Sequence, residues 1–378
     1  MLLSYEPLLN RQRAITGTRL LAHRQSVGPA IGEALNLLAD YWPGQRTVLL
    51  ALRGPLDSAD LQAWRPPANA LVEIRLPDFA EHDALVEDLR ARNVSLCLSG
   101  LTAASRVPEG DFRFLLAAPS LKPDSDLPGI LIAEEPADGQ AFEDCLKRGF
   151  GGASGWFFLE ANAQPPAQAR AKKLSPAHAH LVRLLNLVRN GAEVKEIEAA
   201  LKQDVALSFK LLRYINSAGF GLQCEIQSFR HAVTILGYQK LNKWLSMLLV
   251  TASKDPSAPA LMQAAVVRGR LMELLGAGFF DKAELDNLFI TGAFSLLEAL
   301  LGAPLTEILE LMRLPEAIDD ALLRGEGLYA PFLALAQAVE GSDGPLLAQQ
   351  IETLGLQPEA CNRAVLSALS FADSLLVG

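Results

Sequence analysis

The chain has 378 residues, 50% of them hydrophobic and 20% charged, which at roughly 100–200 residues per domain suits two or three packed domains and excludes a disordered chain. Its 34 Lys and Arg stand against 43 Asp and Glu, and the net charge of −9 argues against broad binding of nucleic acid or anionic membrane by the whole surface. The cysteines Cys97, Cys145, Cys224 and Cys361 form no CxxC or Cys/His metal spacing, so reduced, buried thiols are expected and neither a zinc site nor a disulfide framework.

The opening Met1-Leu-Leu-Ser-Tyr-Glu-Pro7 has no basic region followed by a long apolar one, and no uninterrupted apolar stretch reaches the ~18 residues of a membrane span. A cytoplasmic protein with no membrane association is expected. Short apolar runs then recur at Leu2 to Tyr5, Thr47 to Leu52, Ala70 to Ile74, Val94 to Leu98, Phe112 to Leu116, Gly129 to Ile132 and Gly155 to Phe158. Such runs predict buried parallel strands. Phe79 to Arg92 predicts an amphipathic helix with Leu85, Val86 and Leu89 on its apolar face.

This alternation is consistent with a (β/α) barrel, which normally needs ~250 residues. The half ends near Glu160, and the gaps Leu98 to Phe112 and Leu116 to Gly129 are short for helices, so a trimmed or incomplete barrel is expected. Residues 161–173, Ala-Asn-Ala-Gln-Pro-Pro-Ala-Gln-Ala-Arg-Ala-Lys-Lys, are too small and polar to build a core and are expected to link domain 1–160 to domain 174–378.

Past the linker, three- and four-residue apolar spacing predicts helices over Ala177 to Val188, Val205 to Ile215, Leu261 to Leu275, Leu285 to Leu301, Tyr329 to Val339 and Ala360 to Leu376. Ser175-Pro176 offers an N-cap, and Gly191, Gly237, Gly276 and Gly302 stand where the runs stop.

The first half resembles an EAL domain. Glu6-Pro-Leu-Leu-Asn10 is similar to the QPIVD segment of that family, Gly17-Thr-Arg-Leu-Leu21 to GYEAL, Leu71-Val-Glu-Ile74 to LEIT, Leu131-Ile-Ala-Glu134 to the start of AEGVE, and Gly149 to Phe158 to LGCDYAQGYLF. The resemblance implies a barrel of the kind that hydrolyses cyclic di-GMP with two metal ions about 3.5–4 Å apart. Position by position, the motif glutamate has become Arg19, the strand-two asparagine Ala51, the aspartate pair Ser99 and Gly100, and the late glutamine Ser154. Only Glu73 and Glu134 keep matching acids, and these are expected to be leftover polar positions partnered by arginines. The guanine-contacting glutamine of the family is Glu6 here, and its phosphate-contacting arginine falls at His23. The resemblance therefore implies no catalysis, no metal or other cofactor, and no cyclic di-GMP as a ligand.

The second half resembles an HDOD domain. Gln203 to Gly221 carries the aspartate, the Leu-Leu-Arg helix, the Asn-Ser-Ala step and the closing Phe-Gly, and Ile226 to Gly237 is similar to ISSLRHAITLLG. The HDOD family lacks the metal ligands of the HD phosphohydrolases, and here none of His178, His180 and His231 is followed by aspartate. The one His-Asp dipeptide, His82-Asp83, sits on the polar face of the first-half helix.

These resemblances together suggest a non-catalytic regulatory scaffold in signal transduction that works by protein contacts. Candidate interaction residues are Arg213, Asn216, Ser217, Arg230, Lys240, Lys243 and Trp244, with an ordinary solvated face and a core tryptophan as the plainer alternative. The competing functions are a cyclic di-GMP receptor or residual phosphodiesterase, and a nucleic-acid-binding module, which the acidic balance disfavours. The partner is an unidentified signalling protein, and a homodimer is left open.

Overall fold

The computed structural model describes residues 1–25, 28–54, 58–103, 105–122, 127–160, 176–201, 203, 228–250, 257–312 and 314–376. The linker, the helix expected over Val205 to Ile215, Ser175 and Cys224 lie outside these residues.

Eight strands close into a barrel: β1 Leu2–Asn10, β2 Ile15–His23, β3 Thr47–Arg53, β4 Ala70–Arg75, β5 Ser95–Leu101, β6 Phe112–Ala117, β7 Ile130–Glu134 and β8 Gly152–Ser154. Most strands are covered on both faces and so appear in the sequence as continuous apolar runs. The sheet is complete, which corrects the expectation of an incomplete barrel. What is trimmed is the helical coat: helices α1 Ile31–Asn36, α2 Asp83–Ala91, α3 Gly139–Lys147 and α4 Phe157–Glu160 stand around it, and the described residues between β5 and β7 carry none.

Three further details depart from expectation. β1 is antiparallel to both of its neighbours, β2 and β8, while the other strands run parallel. A tight turn allows this, because Asn10 Oδ1 accepts from the amides of Gln12 and Ala14 at 2.9 and 3.0 Å. Strand β2 is not among the expected runs, because Thr16 to Arg19 interrupts its apolar character. Gly155 to Phe158 is not a strand; Gly155 (φ 98°) takes the chain out of β8 and into α4, where Phe157 stacks on Phe142 at 4.7 Å.

The remaining described residues are helical: α5 Pro176–Arg189, α6 Val194–Leu201, α7 Phe229–Val250, α8 Ala258–Gly276, α9 Lys282–Phe294, α10 Leu297–Leu301, α11 Leu305–Glu310, α12 Glu316–Asp319, α13 Ala330–Val339, α14 Gly344–Thr353 and α15 Pro358–Leu376. α7 is two stretches that meet at Gly237 (φ 74°). α8 and α9 approach closely because both carry glycine at the crossing: a β-carbon on Gly269 would lie 2.7 Å from the Phe289 carbonyl, and one on Gly292 2.8 Å from that of Arg268.

The chain divides into two compact units. The described residues of Met1–Gln164 and Gln337–Ser370 make the barrel unit, and those of Pro165–Ala336 and Phe371–Gly378 the helical unit. Gln337–Ser370 thus groups with the barrel and not with the helices that precede it in sequence. Among the described residues no helix is long and apolar enough to cross a membrane.

Candidate functional site in the barrel

Alternation along the strands builds the barrel interior in layers. Leu8, Leu49, Leu71, Cys97, Leu116 and Ile132 form one apolar layer, with Phe114 against it. Two residues further along β3, β4, β5 and β7 lie Ala51, Glu73, Ser99 and Glu134, and two residues back along the reversed β1 lies Glu6. A polar layer therefore sits directly on an apolar floor. Arg19, paired in register with Glu6, reaches into it from β2.

Arg19 grips Glu73 with two hydrogen bonds, Nε to Oε2 at 2.7 Å and Nη2 to Oε1 at 2.6 Å. It also donates to Glu134 Oε1 at 3.0 Å and, more loosely, to Glu6 Oε2 at 3.3 Å. Arg53 Nη1 stands 3.8 Å from Glu73 Oε1. Arg19, Glu73 and Glu6 are each only 3% exposed, so these are desolvated contacts and not surface ion pairs.

The protonation states follow from this packing. Burial opposes the Arg19 charge, but Glu73, Glu6 and Glu134 outweigh it and hold the guanidinium above its ordinary value. Burial likewise works against ionised Glu73, yet the charge and hydrogen bonds of Arg19, helped by Arg53 and Ser99, carry its carboxyl below the usual range. Glu6 goes the other way. Burial pushes it up to about 7 against the charge of Arg19, and the charge and hydrogen bond of Glu135 add to the rise.

Of the positions singled out by sequence, Arg19, Ala51, Glu73, Ser99 and Glu134 share this layer, and Ser154 pairs in register with Glu134. Ser154 is fully buried, with no hydrogen-bond partner for its Oγ among the described residues. Gly100 does not join them: it takes φ 73° and faces Pro77. The sequence reading passed over Arg53 and Glu135. Arg53 was legible as the next same-face position after Ala51, whereas Glu135 enters through a left-handed backbone (φ 44°) that no pattern announces.

A divalent metal does not fit these residues. Both oxygens of Glu73 and one of Glu134 are already engaged by a fixed cation. At about 4 Å and an effective dielectric of 20, a dication would meet roughly 8 kcal/mol of repulsion from Arg19 before screening. Among the described residues no cluster of three or more His, Cys, Asp or Glu is arranged to hold a metal.

The helical candidates are dispersed. Arg213, Asn216 and Ser217 lie outside the described residues, as does the side chain of Trp244. Lys240 is exposed, and Arg230, also exposed, pairs with Glu198 at 3.1 Å. Lys243 corrects the expectation of an open basic face. It is buried, bonded to Glu273 at 2.7 Å and Asp286 at 3.4 Å, and stands 4.2 Å over the Phe289 ring. On α7 it turns toward α8 and α9, where two carboxylates neutralise it.

Residues 174–292 match the family model of the HDOD domain, and the chain carries an HDOD domain there. Two curated relatives extend beyond that stretch. The cyclic di-GMP phosphodiesterase CdgJ of Vibrio cholerae is 26% identical over 65% of this chain and 56% of its own length. YuxH of Bacillus subtilis, an uncharacterized protein, is 24% identical over 65% of this chain and 59% of its own. The chain thus spans less than two thirds of the length of each. A solved structure from Shewanella amazonensis SB2B, described among the metal-dependent phosphohydrolases, is 16% identical with a TM-score of 0.40, covering 62% of this chain and 98% of that one.

Proposed function

We propose that the barrel is a degenerate EAL-type domain and that the chain is a non-catalytic regulatory scaffold in bacterial signal transduction, its HDOD domain docking a protein partner. The observation that carries this reading is Arg19, a permanent cation closed in by Glu73, Glu134 and Glu6 where the resemblance would place metal ligands. HDOD domains belong to signalling proteins, and the similarity to CdgJ supports a connection with cyclic di-GMP signalling.

The similarity to a phosphodiesterase also supports the rival reading, residual hydrolysis, and one assay separates them. Purified protein incubated with cyclic di-GMP and magnesium or manganese is expected to show no turnover above a metal-free control. Turnover that depends on metal and disappears in Glu73→Ala overturns the scaffold reading.

A further inference from the structure

Between β5 and β7 the described residues carry no helix, and a cleft of about 660 Å³ opens on that stretch of the barrel wall. Its lining comes from the end of α2 at Arg90, from Ser95 at the start of β5, from Asp111 to Arg113 around the start of β6, and from Gly129 just ahead of β7. The cleft lies at the opposite end of the strands from Ser99 and Glu134, so it is separate from the polar layer. Its volume is that of a pocket for a small molecule.

The two arginines of the cleft are held alike. Arg113 Cζ stands 5.4 Å from the centre of the Phe114 ring, and Arg90 Cζ 5.8 Å from that of Phe112. A guanidinium resting on a ring keeps its N–H edge for another partner. Arg90 spends one donor on the Glu109 carbonyl at 3.0 Å, whereas Arg113 has no hydrogen bond among the described residues. Neither forms an ion pair there, even with Asp111 in the same lining.

Strand register shows that the position of Arg113 is built. Leu96 pairs with Phe112 and Cys97 with Phe114, so Arg113 is an extra residue in β6, and a bulge of this kind re-aims a side chain. Gly129 (φ 132°) lets the chain approach the same bulge closely, because a β-carbon there would strike the Phe112 carbonyl.

We propose that this cleft binds a small monocarboxylate, its oxyanion between the free guanidinium edges of Arg113 and Arg90 and its carbon skeleton beside Phe112 and Pro128. Two arginines against one aspartate leave a single net positive charge in the lining, focused by the concavity. That charge matches one carboxylate, whereas a phosphate dianion would bring uncompensated charge beside Asp111. Asn93 and Ser95, both exposed in the lining, supply neutral donors and acceptors for a hydroxyl or amide on the same ligand.

The probe is para-fluorobenzoate, titrated into the full chain and followed by fluorine NMR. Saturable binding with a dissociation constant of about 1 mM or tighter is expected. Arg113→Gln and Arg90→Gln are each expected to weaken it about tenfold, as the loss of one charge-assisted hydrogen bond would. Ser95→Trp fills the cleft, leaves both charges, and is expected to remove binding. All three positions are exposed, so melting is expected to stay close to that of the unmodified chain. The two arginine variants decide the matter if Ser95→Trp disturbs β5. Acetate is expected to displace the probe at lower concentration than inorganic phosphate does. Absence of saturable binding overturns the site, and so does binding that the arginine variants leave unchanged. Displacement by phosphate at lower concentration than by acetate overturns the assignment of a carboxylate.

Discussion

Arg19 and Glu73 meet end to end across the barrel interior, two parallel hydrogen bonds of 2.6 and 2.7 Å joining a planar guanidinium to a planar carboxylate. Such a pair is expensive to break from one side, because the survivor is left charged and desolvated. Arg19→Met is therefore expected to destabilise the barrel by about 3–5 kcal/mol, with Arg53 at 3.8 Å too far to replace it. The double variant Arg19→Met with Glu73→Leu removes both charges and should recover most of the loss. Urea unfolding followed through Trp42, Trp64 and Trp156, all in the barrel, measures both.

Glu6 makes barrel stability depend on pH in the less common direction. Its folded value of about 7 stands above an ordinary value near 4.5, so the folded state binds more protons through that window and stability falls as pH rises from 4.5 to 7. Above 7 the carboxyl ionises in both states, and the loss is complete, on the order of 3 kcal/mol. Glu73, held low, and His23, lowered first by burial and then by Arg53, oppose this by losing stability as pH falls. Glu6→Gln is expected to flatten the decline between pH 5 and 8 and to gain most at pH 8. A series of urea midpoints across that range, unchanged in slope by the variant, would show that Glu6 is ionised throughout.

What the sequence disclosed and what it hid divide along physical lines. Strands buried on both faces announce themselves as apolar runs, and β3, β4 and β6 appear nearly to the residue. β2 hides because the inward-facing Arg19 ends the stretch Thr16 to Arg19, a polar interruption that marks the site. The polar layer was half legible: Glu73 and Glu134 stand two residues beyond the apolar floor, but closure of three acids on Arg19 depends on strand register. The return of Gln337–Ser370 to the barrel was not legible at all. Helical periodicity shows that α15 buries one face and says nothing of which surface receives it, and the polar Asn362 that makes the contact looks in sequence like an ordinary exposed helix position.

Lys243 was misplaced for a related reason: a lysine in a basic stretch looks solvated until the carboxylates of two other helices are brought to it. Glu273 from α8 and Asp286 from α9 take its ammonium, and the Phe289 ring lies beneath it. Replacing it by methionine keeps the stem and its packing but strands two acids, one of which, Glu273, retains Arg270 at 2.8 Å. The expected cost is about 3 kcal/mol, the lower end for one-sided loss of a buried pair. Lys243→Glu should cost more, since it adds a third acid to the same site. Lys240, exposed on the same helix, is the comparison: Lys240→Glu should change stability by less than about 0.5 kcal/mol. Thermal melting of the three single variants, followed by circular dichroism at 222 nm, ranks them. An interaction assay on the basic face is then best made with Lys240→Glu and Arg230→Glu alone, because any loss of binding that appears only when Lys243 is also reversed reports a damaged helical core and not a lost partner.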